Sequence, residues 1–188
     1  ITCLTAYTSN IAKIVDEHVD VILIGDSLGI TIYGMKNTQL VTLDMMKIHG
    51  KAVVRSTKKA FTMIDMPFHT YQNKKQALKN VKSLLNFTKC QSVKLEIDKT
   101  KVDIVSFLVK NNIKVISHIG IIPQKYKDFR KIKFVGRTTK EKEEVFDLAC
   151  RLEDAGSSML LLECIAGKLA KKITKKLTIP TIGIGSSI

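Results

Sequence analysis

The sequence predicts an α/β fold built on a parallel sheet, and three observations point to it. Short apolar runs alternate with amphipathic helical stretches along the whole chain. The runs are continuous rather than alternating and rich in β-branched residues, which is the pattern of strands buried on both faces under covering helices. Five of them also deliver an acid or a histidine at or just beyond their C-terminal end. They are Val19-Asp20-Val21-Ile22-Leu23-Ile24-Gly25-Asp26-Ser27, Phe61-Thr62-Met63-Ile64-Asp65, Ser92-Val93-Lys94-Leu95-Glu96, Val115-Ile116-Ser117-His118 and Met159-Leu160-Leu161-Leu162-Glu163. In a parallel α/β fold such ends converge on one face, so these side chains are expected to meet despite long separations in sequence.

Each element has its own justification. Ile1 to Ala6 reads as the first strand, with Tyr7 at its C-terminal end. Ser9 or Asn10 is expected to cap a helix running to about His18. The second strand covers Val19 to Ile24, and Gly29 and Gly34 punctuate the loop after it. Thr42 caps the next helix, with Asp44 in the first turn where the helix dipole favours an acid, and the helix is expected to end near Lys58. Strand 61–65 runs into Met66-Pro67-Phe68, where Pro67 keeps Met66 out of a helical conformation. An amphipathic helix follows with Ala77, Leu78, Val81, Leu84 and Leu85 on one face. Strand 92–97 leads to a helix turning Val102, Val105, Leu108 and Val109 inward, and strand 114–119 leads to a long basic loop from Gly120 to Gly136. Thr138 and Glu141 make a capping box. The helix behind it spaces Val145, Leu148, Ala149 and Leu152 at helical intervals, and Gly156 stops it. Strand 159–163, helix 167–177 and strand 181–184 complete seven strands and six intervening helices. A (β/α)8 barrel has one more strand and two more helices. The two candidates are therefore such a barrel cut off after its seventh strand and a doubly wound open sheet. The ending Gly183-Ile184-Gly185 favours the barrel, because many barrels place a glycine-rich loop there.

Composition narrows the function classes. The chain has 188 residues, enough for one domain or for one domain lacking a piece, and its 45% hydrophobic content is that of a globular protein. It opens inside a strand, so a native N-terminus upstream of Ile1 is expected. No apolar run reaches membrane-spanning length, and no signal peptide is visible. The net charge is +14. Lysines are scattered over nearly every helix, whereas arginine, the residue suited to bidentate phosphate and base contacts, occurs only at 55, 130, 137 and 151. The densest cluster, Lys168, Lys171, Lys172, Lys175 and Lys176, has no interleaved aromatics, so the charge reads as solvated faces rather than a nucleic-acid surface. Cysteines 3, 90, 150 and 164 lack metal-binding spacing and read as free thiols. Cys164 follows Glu163 and reads as a small packed residue rather than a reactive one.

Asp26, Asp65 and Glu96 close three consecutive strands. Three oxygen donors at neighbouring strand ends suit a hard divalent cation, with magnesium the first choice. The plainer role for any one of them is to cap a helix or pair with a lysine. Lys94 lies two residues before Glu96 and shares its side of the strand. A buried ammonium needs a partner, which could be a substrate carboxylate, the metal-bound acids, or a salt bridge to Glu163 or Asp65. His118 can donate a hydrogen bond to a substrate oxygen or serve structurally. Glu163, delivered by a wholly apolar strand, is a candidate general base. His18 and His49 have no assignment, and His69 is a candidate for a pocket rim. Together these residues suggest metal-assisted proton abstraction next to a carbonyl. A 2-oxo acid chelates magnesium through its carboxylate and keto oxygens, and the metal stabilises the enolate formed when a base removes the neighbouring proton. Spacing does not fix the substrate.

Eight short motifs occur in order: Ile24-Gly25-Asp26-Ser27-Leu28-Gly29, Val41-Thr42-Leu43-Asp44-Met45, Asp65-Met66-Pro67-Phe68, Val93-Lys94-Leu95-Glu96, His118-Ile119-Gly120 with Pro123-Gln124, Gly136-Arg137-Thr138, Leu162-Glu163-Cys164 and Ile179-Pro180-Thr181-Ile182-Gly183-Ile184-Gly185. From end to end the chain resembles the 3-methyl-2-oxobutanoate hydroxymethyltransferase family, also called ketopantoate hydroxymethyltransferase. The resemblance implies a (β/α)8 TIM barrel of the phosphoenolpyruvate/pyruvate type. Here it would be a single domain over 1–188, incomplete at both ends and lacking the eighth strand and the C-terminal helices. It implies transfer of a hydroxymethyl group from 5,10-methylenetetrahydrofolate to 3-methyl-2-oxobutanoate, giving 2-dehydropantoate in pantothenate and coenzyme A synthesis. By position, Asp26, Asp65 and Glu96 correspond to the magnesium-site acids. Asp26, Ser27, Asp65, Lys94 and His118 correspond to substrate contacts, and Glu163 to the proton acceptor. The family is cytoplasmic and forms homo-oligomers, commonly decamers, with no nucleic-acid or membrane partner.

Three segments depart from the family pattern. Thr8 follows Tyr7 where the family usually has Asp. His69-Thr70-Tyr71 replaces Gly-Ser-Tyr, and Gly183-Ile184-Gly185-Ser186-Ser187 replaces Gly-Ile-Gly-Ala-Gly. None of the expected metal or base residues is altered. Two other readings make different predictions. Related lyases and mutases of the same barrel type, which share metal-bound enolate chemistry, carry a cysteine-containing loop after an early strand, and no such loop is found here. A basic nucleic-acid-binding protein would show salt-sensitive RNA affinity and indifference to magnesium and 2-oxo acids.

Overall fold

The structure, a computed structural model, describes residues 1–128 and 134–185. Arg130, part of the expected basic loop, and Ser186 and Ser187 of the last loop lie outside the described residues. The chain forms two compact units, Ile1–Lys94 and Leu95–Ile188.

In the first unit, strands β1 (Cys3–Thr5), β2 (Val21–Ile24), β3 (Phe61–Asp65) and the start of β4 (Ser92–Glu96) pair in chain order, all parallel. The registers set Thr5 beside Leu23, Ile24 beside Ile64 and Asp65 beside Lys94. Ile22, Ile24, Met63 and Ile64 are fully buried, as continuous apolar strands require. The helices are α1 (Ser9–Val15), the single turn α2 (Leu28–Thr31), α3 (Leu43–Val54) and α4 (Lys74–Thr88).

Three helix termini differ from expectation, two of them for one physical reason. The cap of α1 is Thr8, whose hydroxyl accepts the N–H of Ile11, rather than Ser9 or Asn10. The helix stops at Val15 instead of near His18 because Asp16 turns its carboxylate onto the backbone N–H groups of Lys58 (2.7 Å) and Ala60 (2.9 Å). The same contact ends α3 at Val54 rather than near Lys58, since residues 58–60 must present free N–H groups. Thr42 caps α3 as expected. Helix α4 buries Ala77, Val81, Leu84 and Thr88, and Leu78 and Leu85 are half-buried at the flanks of that face.

In the second unit the chain leaving β4 lies beside β5 (Val115–Gly120), with Ile97 N–H donating to the His118 carbonyl at 2.9 Å. Strand β5 pairs in parallel with β6 (Met159–Glu163), and β6 with β7 (Thr181–Ile184). Helices α5 (Val102–Lys110), α6 (Thr139–Asp154) and α7 (Gly167–Lys176) complete it. Helix α5 buries Ile104 together with Val105 and Leu108, one position the periodicity reading left out, and Val102 and Val109 are half-buried. Both halves of the Thr138–Glu141 capping box form. All five lysines of the α7 cluster are exposed, and Lys172 lies 4.5 Å over the ring of Phe146 on α6, an aromatic partner absent from the cluster's own sequence. Pro123–Lys125 forms a 3-10 turn within the expected basic loop. Among the described residues, no helix is long and apolar enough to cross a membrane.

Candidate active site

Strand ends position the expected residues in two groups, one in each unit. In the first unit, Asp65 ends β3 and Lys94 lies opposite it on β4. Asp65 Oδ1 is 2.9 Å from Lys94 Nζ, and the two side chains are 5% and 6% exposed. This is one of the two ion pairs the sequence offered for Lys94. Asp65 Oδ2 accepts the backbone N–H of Asp26 at 3.0 Å, which ties the β2 and β3 ends together. Asp26 is itself buried. Next along the chain, Ser27 occupies the cap position of α2 without capping it. Its Oγ lies 2.8 Å from Tyr7 Oη instead. Cys3 lies near the same group. Burial pushes its thiol up to about 11, with Lys94 pulling it down and Asp65 pushing it up, so it is a neutral thiol at physiological pH.

In the second unit, His118 is buried on β5 between two carboxylates. Its Nε2 is 3.1 Å from Glu163 Oε2 at the end of β6, and its Nδ1 is 3.9 Å from Glu96 Oε1. Glu96 Oε2 accepts the backbone N–H of Gln124 at 3.0 Å. Strand β5 runs two residues past His118, to Gly120, which is registered opposite Glu163. The Glu163 carbonyl accepts the N–H of Ile121 at 2.9 Å. Glu163 is partly open, its side chain 23% exposed, so it is the member of this group that an incoming molecule can reach. Cys164 follows in a left-handed conformation, φ 51°. Burial and the neighbouring Glu163 raise its thiol, which suits the packed role.

Asp26 and Asp65 are hard oxygen donors of the kind magnesium takes. Among the described residues no three His, Cys, Asp or Glu side chains gather into a group that could hold a metal by themselves. The donor chemistry of Asp26 and Asp65 fits the ion, and magnesium commonly keeps water or a bound molecule among its ligands. Two residues at the site carried no role in the sequence reading. Tyr7 reaches Ser27 from the end of β1, and Gln124 supplies a backbone N–H to Glu96. Tyr7 gave a signal only through its place at a strand end. Gln124 acts through its backbone, which side-chain chemistry cannot flag.

Comparison with solved structures defines the class. The crystal structure of 2,3-dimethylmalate lyase, a PEP mutase/isocitrate lyase superfamily member, matches 96% of this chain with a TM-score of 0.70 at 15% identity. Phosphonopyruvate hydrolase, in a crystal structure with oxalate and Mg++, matches 98% with a TM-score of 0.70 at 11% identity. The chain spans 64% and 66% of those two proteins. At such identity the likeness shows the fold, the parallel α/β architecture of the TIM-barrel type. Sequence comparison goes further. The family described as ketopantoate hydroxymethyltransferase matches residues 1–188. The 3-methyl-2-oxobutanoate hydroxymethyltransferase of Pelagibacter ubique is 45% identical over 188 residues, covering all of this chain and 72% of the relative. That of Anaplasma marginale is 44% identical over 187 residues, covering all of this chain and 68% of the relative. The chain belongs to the ketopantoate hydroxymethyltransferase family, a family of transferases.

Proposed function

We propose that this chain transfers a hydroxymethyl group from 5,10-methylenetetrahydrofolate to 3-methyl-2-oxobutanoate, giving 2-dehydropantoate for pantothenate and coenzyme A synthesis, as a cytoplasmic homo-oligomer. Family membership supports the reaction class. The observation that carries the chemistry is the Glu163–His118 pair, in which a partly open carboxylate is held 3.1 Å from a buried imidazole at adjacent strand ends.

In this reading Asp26 and Asp65 hold magnesium, and Glu96 is the third acid that the resemblance assigns to it. The ion, when bound, supplies Lewis-acid polarisation of the keto oxygen. Ser27 and Lys94 bind the acid, together with Asp26 and Asp65. Lys94 brings a buried positive charge of the kind that attracts a substrate carboxylate, 2.9 Å from Asp65. Glu163 takes the proton as the C–H bond at C3 breaks. His118 stands 3.1 Å from the carboxylate that receives it, and the resemblance assigns it a hydrogen bond to the substrate. The new carbon–carbon bond then forms from C3 to the one-carbon unit as its two bonds to the folate nitrogens break, with water supplying the hydroxyl oxygen and tetrahydrofolate leaving.

Solvent deuterium exchange at C3 of 3-methyl-2-oxobutanoate is the partial reaction that isolates this step, since it needs no folate. In the full-length protein, Glu163→Gln is expected to lower exchange by about 10² to 10⁴, the range for loss of a general base. Calorimetry with magnesium and the oxo acid, separately and together, is expected to show binding in the variant as in the wild type, with each ligand tightening the other. Undiminished exchange in Glu163→Gln would move the base to His118 and overturn the assignment.

A further inference from the structure

We infer that Tyr7 is a positioning residue that sets the direction of the Ser27 hydroxyl, and that His49 and Tyr33 brace it from behind. The inference rests on the reading of Ser27 as a contact to the 2-oxo acid.

All four residues lie in the first unit. The Tyr7 and Ser27 oxygens are 2.8 Å apart. Ser27 spends no hydroxyl contact on capping the helix it precedes. The residue before Asp26 is a glycine, and a Cβ there would stand 2.8 Å from Ser27 Oγ, so the hydroxyl occupies space that only Gly25 leaves. Ser27 thus has one hydrogen-bond partner in Tyr7 and a half-buried position from which to serve another.

Hydrogen-bond direction decides what the pair can do. A serine hydroxyl has one proton to donate and two lone pairs to accept with. A carboxylate only accepts. For Ser27 to bind the acid through its hydroxyl, its proton must point to the substrate, and its lone pair must then be served by another donor. Tyr7 Oη–H is that donor. The relay Tyr7 O–H to Ser27 O–H to carboxylate runs in one direction, and each bond polarises the next.

Tyr7 is itself held. His49 Nδ1 lies 2.6 Å from the Tyr7 carbonyl, and since a carbonyl can only accept, Nδ1 carries the proton. His49 Nε2 lies 2.9 Å from Tyr33 Oη, and the two rings meet edge to face with centroids 5.7 Å apart. One imidazole therefore locks the backbone at Tyr7 on one side and is fixed by Tyr33 on the other. This gives His49, which carried no role in the sequence reading, a structural task with a functional endpoint.

Binding of 3-methyl-2-oxobutanoate in the presence of magnesium, measured by calorimetry on the full-length protein, tests the inference together with kcat and KM. Tyr7→Phe removes one oxygen and keeps the ring. It is expected to weaken oxo-acid binding and raise KM by about three- to ten-fold, the range for one lost hydrogen bond, with kcat little changed and Tm unmoved. Ser27→Ala is expected to weaken binding at least as much, and adding Tyr7→Phe to it is expected to change nothing further, because Tyr7 acts only through Ser27. If Ser27→Ala weakens binding and Tyr7→Phe does not, the positioning role of Tyr7 is wrong. If the two effects are additive, Tyr7 acts independently of Ser27 and the relay is wrong. If Ser27→Ala leaves binding unchanged, the reading of Ser27 as a substrate contact fails first and the inference falls with it.

Discussion

Replacing Gly120 by alanine tests how the Glu163–His118 pair is held. Gly120 ends β5 at φ +99°, a conformation that L side chains rarely adopt. A Cβ built there would stand 2.1 Å from the Glu163 carbonyl oxygen and 2.8 Å from Ile165 Cγ1. The first of these is backbone, so no rotamer change relieves it. The β5 and β6 ends would have to separate by more than an ångström to reach ordinary contact, and the Ile121–Glu163 hydrogen bond would open with them. Backbone strain at such a φ costs about 1–3 kcal/mol, and overpacking adds about 1–3 kcal/mol. The expected loss of stability is therefore on the order of 3 kcal/mol. Gly34→Ala is the internal control. Gly34 also has a positive φ, +64°, but nothing lies within 4 Å of its would-be Cβ, so only about 1 kcal/mol of strain is expected. Urea unfolding of both variants, compared at equal m-value, reads the difference. Because the displaced carbonyl belongs to Glu163, C3 exchange should fall in Gly120→Ala and hold in Gly34→Ala. Equal stability losses in the two variants would refute the claim that close approach of the strand ends excludes a side chain at position 120.

Two other outcomes follow from groups already described. Lys94→Met leaves the Asp65 carboxylate buried without its cation and should destabilise the first unit by about 3–5 kcal/mol in urea unfolding; a loss below about 1 kcal/mol would mean that the pair is not a structural requirement. Burial pushes the Asp16 carboxyl up, but the N–H groups of Ala60, Lys58 and Lys59 outweigh it and hold the group below its ordinary 3.8. A depressed carboxylate contributes stability that is full above 3.8 and is lost as the pH falls through the folded value. Asp16→Asn should therefore lie furthest below the wild type near neutral pH, and the gap should close as the pH drops below about 4, read as Tm against pH; a gap independent of pH would show that the charge of Asp16 plays no part.

Much of the fold was legible because buried parallel strands announce themselves. Runs such as Met159-Leu160-Leu161-Leu162 have no polar face to confuse them with another element. Caps were legible where the side chain sits directly before the helix it serves, as at Thr42 and Thr138. Thr8 was missed because Ser9 and Asn10 are equally good cap chemistry, and only backbone angles separate three adjacent candidates. It also accounts for one departure from the family pattern, since threonine and aspartate can both cap α1 from this position. Pairing among strand ends was less legible. The strand spacing puts Asp65 and Lys94 near each other, but their pairing depends on register. The approach of His118 to Glu163 likewise depends on how β5 and β6 align. Conformation was hidden altogether at His69, which replaces a family glycine and keeps the glycine-like backbone, φ 61°. Its Nδ1 bonds to Gln72 at 2.6 Å, and its ring lies against Phe68. No local pattern would have placed an imidazole there.

The burial of the Asp65–Lys94 pair divides the molecule's electrostatics into two populations that respond differently to ionic strength. The exposed lysines of α7 and the other surface cations, which dominate the +14 net charge, sit in bulk solvent. At physiological ionic strength their reach is about 8 Å, and it shortens further as salt is added. The Asp65–Lys94 pair is out of contact with that ionic atmosphere and keeps its attraction in brine. Salt therefore weakens the long-range field of the surface lysines and leaves the buried Asp65–Lys94 attraction nearly untouched, so that the outer and inner charges are governed by separate variables.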